Sequence, residues 1–413
     1  MIKNTIVIGA GPAGMIAAGY LAEKTEKVIL IDKNKFPGKK LRITGKGRCN
    51  ITNSADVEDF IKNVPTNPRF LYSAFYSFTN DDIVNLLENL GVKCKTERGG
   101  RVFPESDSAK DVADALKRFA FKKNVTYVCD EVKKLIVKDG KVIGVKTTEK
   151  EYFSDAVVIA TGGSSYPLTG SDGSGYKLAK QAGHTIVDIK PSLVPIVTEE
   201  KWVSDLMGLS LKNIEIKVIN EKNKTIYKDF GEMLFTHFGM SGPVILSASA
   251  HIRNPEKSKY KISVDLKPAL DEEKLDKRIS RDFEQFKNKH LINALDELLP
   301  KALIPVIVKL SGIDAHKEVN SVTREERMTL VRCIKSLLVT VKDFRPIDEA
   351  IITSGGVNTK EINPSTMESK ITENLYFAGE VIDVDAYTGG FNLQIAYSTG
   401  YLAAQSIIDK NNI

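Results

Sequence analysis

The chain has 413 residues, 42% hydrophobic and 27% charged, which suits a soluble globular protein of two or three domains. No run approaches the roughly 18 apolar residues of a membrane span, and Cys49, Cys94, Cys129 and Cys333 show neither CxxC nor Cys/His metal-ligand spacing. The formal charge of +6 looks thinly spread: residues 191–343 hold 25 basic and 22 acidic side chains, and Asp271 to Lys289 alternates in sign, so nucleic acid is not expected as a partner.

The first residues lead straight into a strand, and the cysteine pattern suits a reducing compartment, so a cytoplasmic location is expected. Lys3 to Ile8 is a short apolar run that reads as a buried strand, and Met15 to Lys24 is alanine-rich with a helical pattern. Between them lies Gly9-Ala10-Gly11-Pro12-Ala13-Gly14. Gly9 permits a tight turn, Gly11 lets backbone approach a pyrophosphate, and Gly14 lets the helix close on the sheet. A second apolar strand, Lys27 to Ile31, ends at Asp32, an acid placed to hold a ribose hydroxyl pair. These features point to a dinucleotide without separating NAD from FAD.

Farther along, Asn80 to Leu90 reads as a helix with Thr79 or Asn80 as N-cap and Gly91 as its stop, and Ala109 to Phe121 as another. Strands are expected at Val92–Lys95, Arg101–Phe103, Val125–Cys129, Val132–Val137, Val142–Thr147 and Ala156–Ala160, with Asp139-Gly140 as a hairpin turn. Gly170 to Gly175 follows Pro167 with no preceding strand and reads as a loop, so no second dinucleotide unit serves a nicotinamide cofactor. Near Lys190-Pro191 the texture changes. Ile214–Ile219, Thr225–Phe230 and Lys261–Leu266 look like antiparallel strands, and Asp271 to about Leu338 looks helical, broken by Pro300 and Pro305. After Phe344-Arg345-Pro346 an α/β texture returns with Ile351 to Val357. The expected division is a discontinuous nucleotide-binding domain, 1–190 with 344–413, interrupted by an insertion at 191–343.

The strand Asn374–Ala378 leads into a second glycine-rich segment, Gly379-Glu380 through Gly389-Gly390-Phe391-Asn392-Leu393-Gln394, and a last helix, Leu393 to Ile408. An extended FAD needs a phosphate cradle at one strand and a second backbone platform under its middle. The two glycine segments together therefore favour FAD.

Several long motifs resemble those of the flavoprotein family that contains aminoacetone oxidase, YhiN and the bile-acid ene-reductase BaiN. They are residues 44–53 (Thr44 to Asn53), Gly100 to Pro104, Leu234 to Pro243, Gly355-Gly356-Val357, Thr366 to Lys370, and Gly379 to Asp385 with Gly389 to Gln394. The resemblance implies an α/β fold: a glutathione-reductase-like, Rossmann-type FAD-binding domain with an inserted β-barrel plus α-helical domain, the barrel at 191–267 and 339–343 and the helices at 268–338. It also implies non-covalent FAD and a small-molecule substrate.

Carried onto this sequence, Gly9, Gly11, Pro12, Ala13 and Gly14 would cradle the pyrophosphate, Asp32 the adenosine ribose, and backbone at Val132 the adenine. Thr161 and Gly162 would cross the middle of the cofactor. Glu380, after Gly379, would reach a ribityl hydroxyl, and Gly389, Gly390, Phe391, Asn392 and Leu393 would lie against the isoalloxazine. Lys33, Arg42, Cys49 and Asn50 complete the expected cofactor contacts. The catalytic candidates are Arg48, as an anion-binding cation, Cys49, as a thiol beside that cation, and His237, as a substrate-facing group in the insertion. Arg101 could pair with a carboxylate or tie a loop. The expected activity is FAD-dependent, NAD(P)H-linked reduction of an activated C=C bond, with NAD(P)H docking transiently. Oxidation of a small amine with peroxide formation, and a flavin-bearing binding or RNA-associated role, are the alternatives.

Overall fold

The structure is a computed structural model and describes residues 3–253 and 255–410. The chain forms two compact units, Met1–Ser192 with Pro346–Ile413, and Leu193–Arg345.

The first unit is built on a five-stranded parallel sheet in the order Leu375–Phe377, Ala156–Ile159, Asn4–Ile8, Lys27–Asp32, Val125–Cys129. Its central strands are almost wholly buried, as expected when helices cover both faces of a parallel sheet, which is why they read as unbroken apolar runs. Helices Pro12–Lys24 and Phe391–Asp409 approach so closely that a Cβ at Gly400 would sit 2.4 Å from the Ala13 carbonyl oxygen. A three-stranded meander, Val132–Lys138, Lys141–Thr147 and Glu151–Phe153, turns at Asp139 (φ 50°) and Gly140 (φ 76°), the left-handed pair that a tight hairpin requires. Helix Asn80–Asn89 opens with a reciprocal capping box between Thr79 and Asp82.

One expectation needs revision here. The loop at Gly170 ends at Gly173 (φ 77°), and Ser174–Gln181 is a helix whose burial of Tyr176, Leu178 and Ala179 outweighs its glycine-rich start.

The second unit is a closed six-stranded antiparallel barrel with helices. The strand order is Ile196–Thr198, Gly239–Ser241, Thr225–Phe235, Ser210–Ile219, Tyr260–Asp265, Leu337–Phe344. Alternate residues Ile214, Ile216, Val218, Ile262, Val264, Val339 and Val341 fill its interior. Helices Glu272–Gln285, Ile304–Ser311 and Arg324–Lys335 belong to the same apolar core. Leu337 and Leu338 start a barrel strand instead of ending the helical segment. Pro305 opens a helix instead of breaking one, because the first turn does not need its missing N–H. Among the described residues no helix is long and apolar enough to cross a membrane.

Candidate functional site

The candidate site lies in the first unit, where the first strand turns into the first helix. Gly9 has φ 101°, and a Cβ there would meet the Ala160 carbonyl oxygen at 2.4 Å. A Cβ at Gly14 would fall 1.8 Å from the Gly9 carbonyl oxygen. Gly11 differs: it caps the helix, and nothing stands within 4 Å of the position its Cβ would take. Pro12 and Ala13 follow in the first turn. The result is bare backbone beside a helix N-terminus, open to an anionic ligand.

Asp32 stiffens this turn. Its Oδ2 accepts from the Ala10 N–H at 2.7 Å, and its Oδ1 from the Asn34 N–H at 2.7 Å and the Asn34 amide at 3.0 Å. A carboxylate offers about four acceptor positions, so capacity for a hydroxyl remains. Beside it opens a cleft lined by Gly9, Asp32, Lys33, Glu131, Val132 and Thr161, among others. Lys33 Nζ pairs with Asp172 at 2.5 Å. The hydroxyls of Thr161 and Ser171 are buried with no hydrogen-bond partner, as is Asn50 Oδ1. Buried polar atoms without partners are costly and uncommon. The open backbone, the acid and the orphaned hydroxyls fit the sugar and phosphate oxygens of a dinucleotide.

The second glycine segment is organised by distant residues. Gly379 (φ 73°) donates its N–H to Thr399 Oγ1 at 2.9 Å. Glu380 accepts from Lys40 Nζ at 2.8 Å, from Ser165 Oγ at 3.1 Å and from the Thr353 N–H at 2.9 Å. Lys40 also donates to Ser165 Oγ at 2.7 Å. Sequence reasoning missed Lys40, Ser165 and Thr353, since no spacing signal links partners up to 340 residues apart.

Gly390 (φ 99°) is the N-cap of the C-terminal helix, and a Cβ there would lie 2.3 Å from the Thr52 backbone. Asn53 donates to the Gly389 carbonyl at 3.1 Å, and Thr52 Oγ1 to Gln394 Oε1 at 2.7 Å. Residues 52–53 and 389–394 are thereby joined. Asn392 holds the preceding loop, accepting from the Ala386 N–H at 2.9 Å and donating to the Ala386 carbonyl at 2.6 Å. The Phe391 ring packs edge-on against Phe60 at 5.0 Å. These side chains brace the turn, so what Phe391, Asn392 and Leu393 can offer a ligand is the unpaired N–H groups of a first helical turn. Asp385 in that loop is 1% exposed and accepts from Ser192 Oγ at 2.9 Å and Ser354 Oγ at 3.2 Å. Burial raises its pKa above the ordinary carboxylate value.

The catalytic candidates are revised. Arg48 is held by Glu97 and by Asp107, the latter at 2.6 Å, and lies 4.2 Å over the Phe103 ring, so its charge is already neutralised. Arg42 likewise pairs with Asp114 at 2.6 Å. Cys49 is fully buried at φ 61°, and burial pushes its thiol up to about 12. A thiol that far above neutrality stays protonated, which removes the thiolate role that its arginine neighbour had suggested. His237 belongs to the second unit, exposed in the turn before Gly239–Ser241 with its ring 4.9 Å from Phe238. Arg101 ties a loop, its Nε donating to the Arg98 carbonyl at 3.2 Å.

Residues 3–406 match the family model described as HI0933-like protein Rossmann domain. The chain is 32% identical over 415 residues to a ribosomal RNA dihydrouridine synthase of Escherichia coli, covering 98% of each chain. It is 29% identical over 408 residues to a 3-dehydro-bile acid delta(4,6)-reductase of Clostridium scindens, again covering 98% of each. Among solved structures, a 3-ketosteroid delta1-dehydrogenase from Sterolibacterium denitrificans superposes with a TM-score of 0.53 at 13% identity, covering 99% of this chain and 100% of that one. That likeness is one of fold. With the glycine cradle, the acid and the second platform in place, the chain belongs to the HI0933-like family of FAD-dependent oxidoreductases.

Proposed function

We propose that this protein uses FAD and NAD(P)H to saturate a carbon–carbon double bond conjugated with a carbonyl. One observation carries this: two relatives of similar identity bear names that describe the same bond change in unrelated frames. A delta(4,6)-reductase acting on a 3-dehydro bile acid saturates a double bond conjugated with a ketone, and a dihydrouridine synthase saturates the uracil bond conjugated with its C4 carbonyl. The shared requirement is a hydride delivered to the β-carbon and a proton to the α-carbon. NAD(P)H and one proton are consumed, and NAD(P)+ and the saturated product are released. Bound FAD would supply the hydride transfer.

The chain's own part is binding and electrostatics. Gly9 to Gly14 and Asp32 would hold the adenosine diphosphate half, and Thr161 and Ser171 would gain partners for their buried hydroxyls. Glu380, fixed by Lys40 and Ser165, would orient the ribityl chain. The first turn of Phe391–Asp409 presents N–H groups and a dipole that favour negative charge on the ring system. Absence of a second strand–glycine–helix unit in the sequence fits a nicotinamide that docks transiently, and a cytoplasmic location would supply it.

For the substrate frame we take uracil within RNA, the frame of the E. coli relative; a steroid-type enone is the second reading, on the C. scindens relative. Anaerobic mixing tests the reaction. NADH or NADPH should bleach the flavin, and deproteinised ribosomal RNA or a steroid dienone should restore its colour without oxygen. Bleaching by a small amine, with recovery only on admitting oxygen, would replace this reading with amine oxidation.

A further inference from the structure

Charge that averages out along the sequence is concentrated by the barrel. Strands Ser210–Ile219 and Thr225–Phe235 form a hairpin, and Tyr260–Asp265 pairs with the first of them so that Ile219 faces Lys261. The register brings two segments to one end of the barrel: residues 217–228, and Lys261 with residue 253 and residues 255–260 that lead into its strand. Those two segments hold eight basic and two acidic side chains, although residues 191–343 as a whole are nearly balanced.

Local structure presents these cations outward. Asn220 Oδ1 accepts from the backbone N–H groups of Lys222 and Lys224, both at 3.0 Å, and Asn223 takes φ 56°, which fixes the hairpin tip. On the other segment the Tyr260 hydroxyl donates to the Arg253 carbonyl at 3.2 Å, and Tyr227 stacks on His251 with ring centroids 4.2 Å apart. Glu215 engages Lys228 at 2.9 Å and Lys217 at 3.7 Å. Lys222, Lys224, Lys257, Lys259 and Lys261 are exposed and, among the described residues, make no ion pair. The nearby acids, Glu221 and Glu256, are exposed too, and five lysines against these two leave a net positive patch. Lysines that outnumber the nearby carboxylates repel one another, and a phosphate backbone relieves that repulsion while releasing its condensed cations.

We propose that this end of the barrel is an RNA-docking surface, on which Lys222, Lys224, Lys257, Lys259 and Lys261 contact backbone phosphates. The proposal rests on uracil in RNA being the substrate frame. Phosphate contacts would position the RNA without reading its sequence, leaving selection of the uridine to the flavin site.

The test compares the wild-type holoenzyme with a triple variant, Lys222→Gln, Lys224→Gln and Lys259→Gln, and with a control on the charge-balanced helices, Lys274→Gln and Lys277→Gln. Deproteinised ribosomal RNA is the probe, titrated at several salt concentrations. The triple variant should bind at least about tenfold more weakly, with a salt slope smaller by about two, and should keep its FAD content and its bleaching by NAD(P)H. Equal loss in the control, an unchanged slope in the triple variant, or wild-type protein that binds anionic vesicles but not RNA overturns the proposal. The two failures are separable. RNA that restores the flavin's colour equally well with wild type and triple variant removes the docking surface and keeps the substrate frame. RNA bound through the patch but unable to restore the colour keeps the surface and removes the frame.

Discussion

Gly14 stands where no side chain fits. Its missing Cβ would occupy a position 1.8 Å from the Gly9 carbonyl oxygen, so any side chain must push the helix away from the cradle. Gly14→Ala is expected to cost more than about 2 kcal/mol and to abolish FAD retention. The measurement is flavin absorbance of the purified variant, with the FAD-induced rise in unfolding temperature as a second readout; a variant that keeps stoichiometric FAD would show that the cradle is misplaced. Cys49 makes the opposite prediction. Because its thiol is buried and raised to about 12, Cys49→Ala should turn over within about threefold of wild type. Iodoacetamide applied to the native protein should label exposed Cys129 and spare Cys49, and mass spectrometry of the peptides decides this. Rapid alkylation of Cys49 accompanied by loss of turnover would restore it as a catalytic candidate.

Elements meet through a few buried polar groups. Gln394, 1% exposed in the C-terminal helix, donates to the Phe78 carbonyl at 3.0 Å and accepts from Thr52 Oγ1 at 2.7 Å. Gln394→Ala would leave the buried Thr52 hydroxyl without its acceptor, while Ser398 Oγ still donates to the Phe78 carbonyl at 2.6 Å, and should lower stability by about 1–3 kcal/mol, read from denaturant unfolding. His184 couples Ser174–Gln181 to the turn before Leu375–Phe377, with Nε2 2.7 Å from Ser369 Oγ and Nδ1 3.3 Å from Glu361. Burial lowers its pKa in the folded state, and the Glu361 carboxylate opposes that only in part. In the unfolded chain the imidazole takes a proton below about 6.5, so this contribution is complete above that pH and declines as pH falls toward the folded-state value. The unfolding temperature should drop between pH 7 and 5.5, and drop less in His184→Gln; identical profiles would exclude the histidine as the cause.

The N-terminal strand, glycine turn, helix and acid were legible in the sequence because their geometry is set within about thirty residues by local backbone rules. The helix start, placed at Thr79 or Asn80 and found at Thr79, and the Asp139-Gly140 hairpin were legible for the same reason. Lys40 with Glu380, or Ser192 with Asp385, are joined only by tertiary packing, and nothing periodic announces them. Arg48 misled in the same way, since its partners Glu97 and Asp107 lie some fifty residues on. Short barrel strands such as Gly239–Ser241 carry too few residues to show alternation.

At the scale of the molecule, two apolar cores hold the chain together, one centred on the parallel sheet and one on the barrel and its helices. Each is large enough to unfold as a cooperative body, so a single two-state transition is not expected. Calorimetry should resolve two components, with added FAD raising only the one that belongs to Met1–Ser192 and Pro346–Ile413. Equal shifts of both components would place cofactor contacts in the second unit as well. An anaerobic single turnover shows most directly which bond is reduced. Enzyme reduced with one equivalent of NAD(P)H should, on mixing with ribosomal RNA or a steroid dienone, yield one saturated C–C bond per FAD reoxidised, counted by mass spectrometry of the product. A flavin that stays reduced with every conjugated acceptor, and recovers only with oxygen while an amine is consumed, would contradict the account.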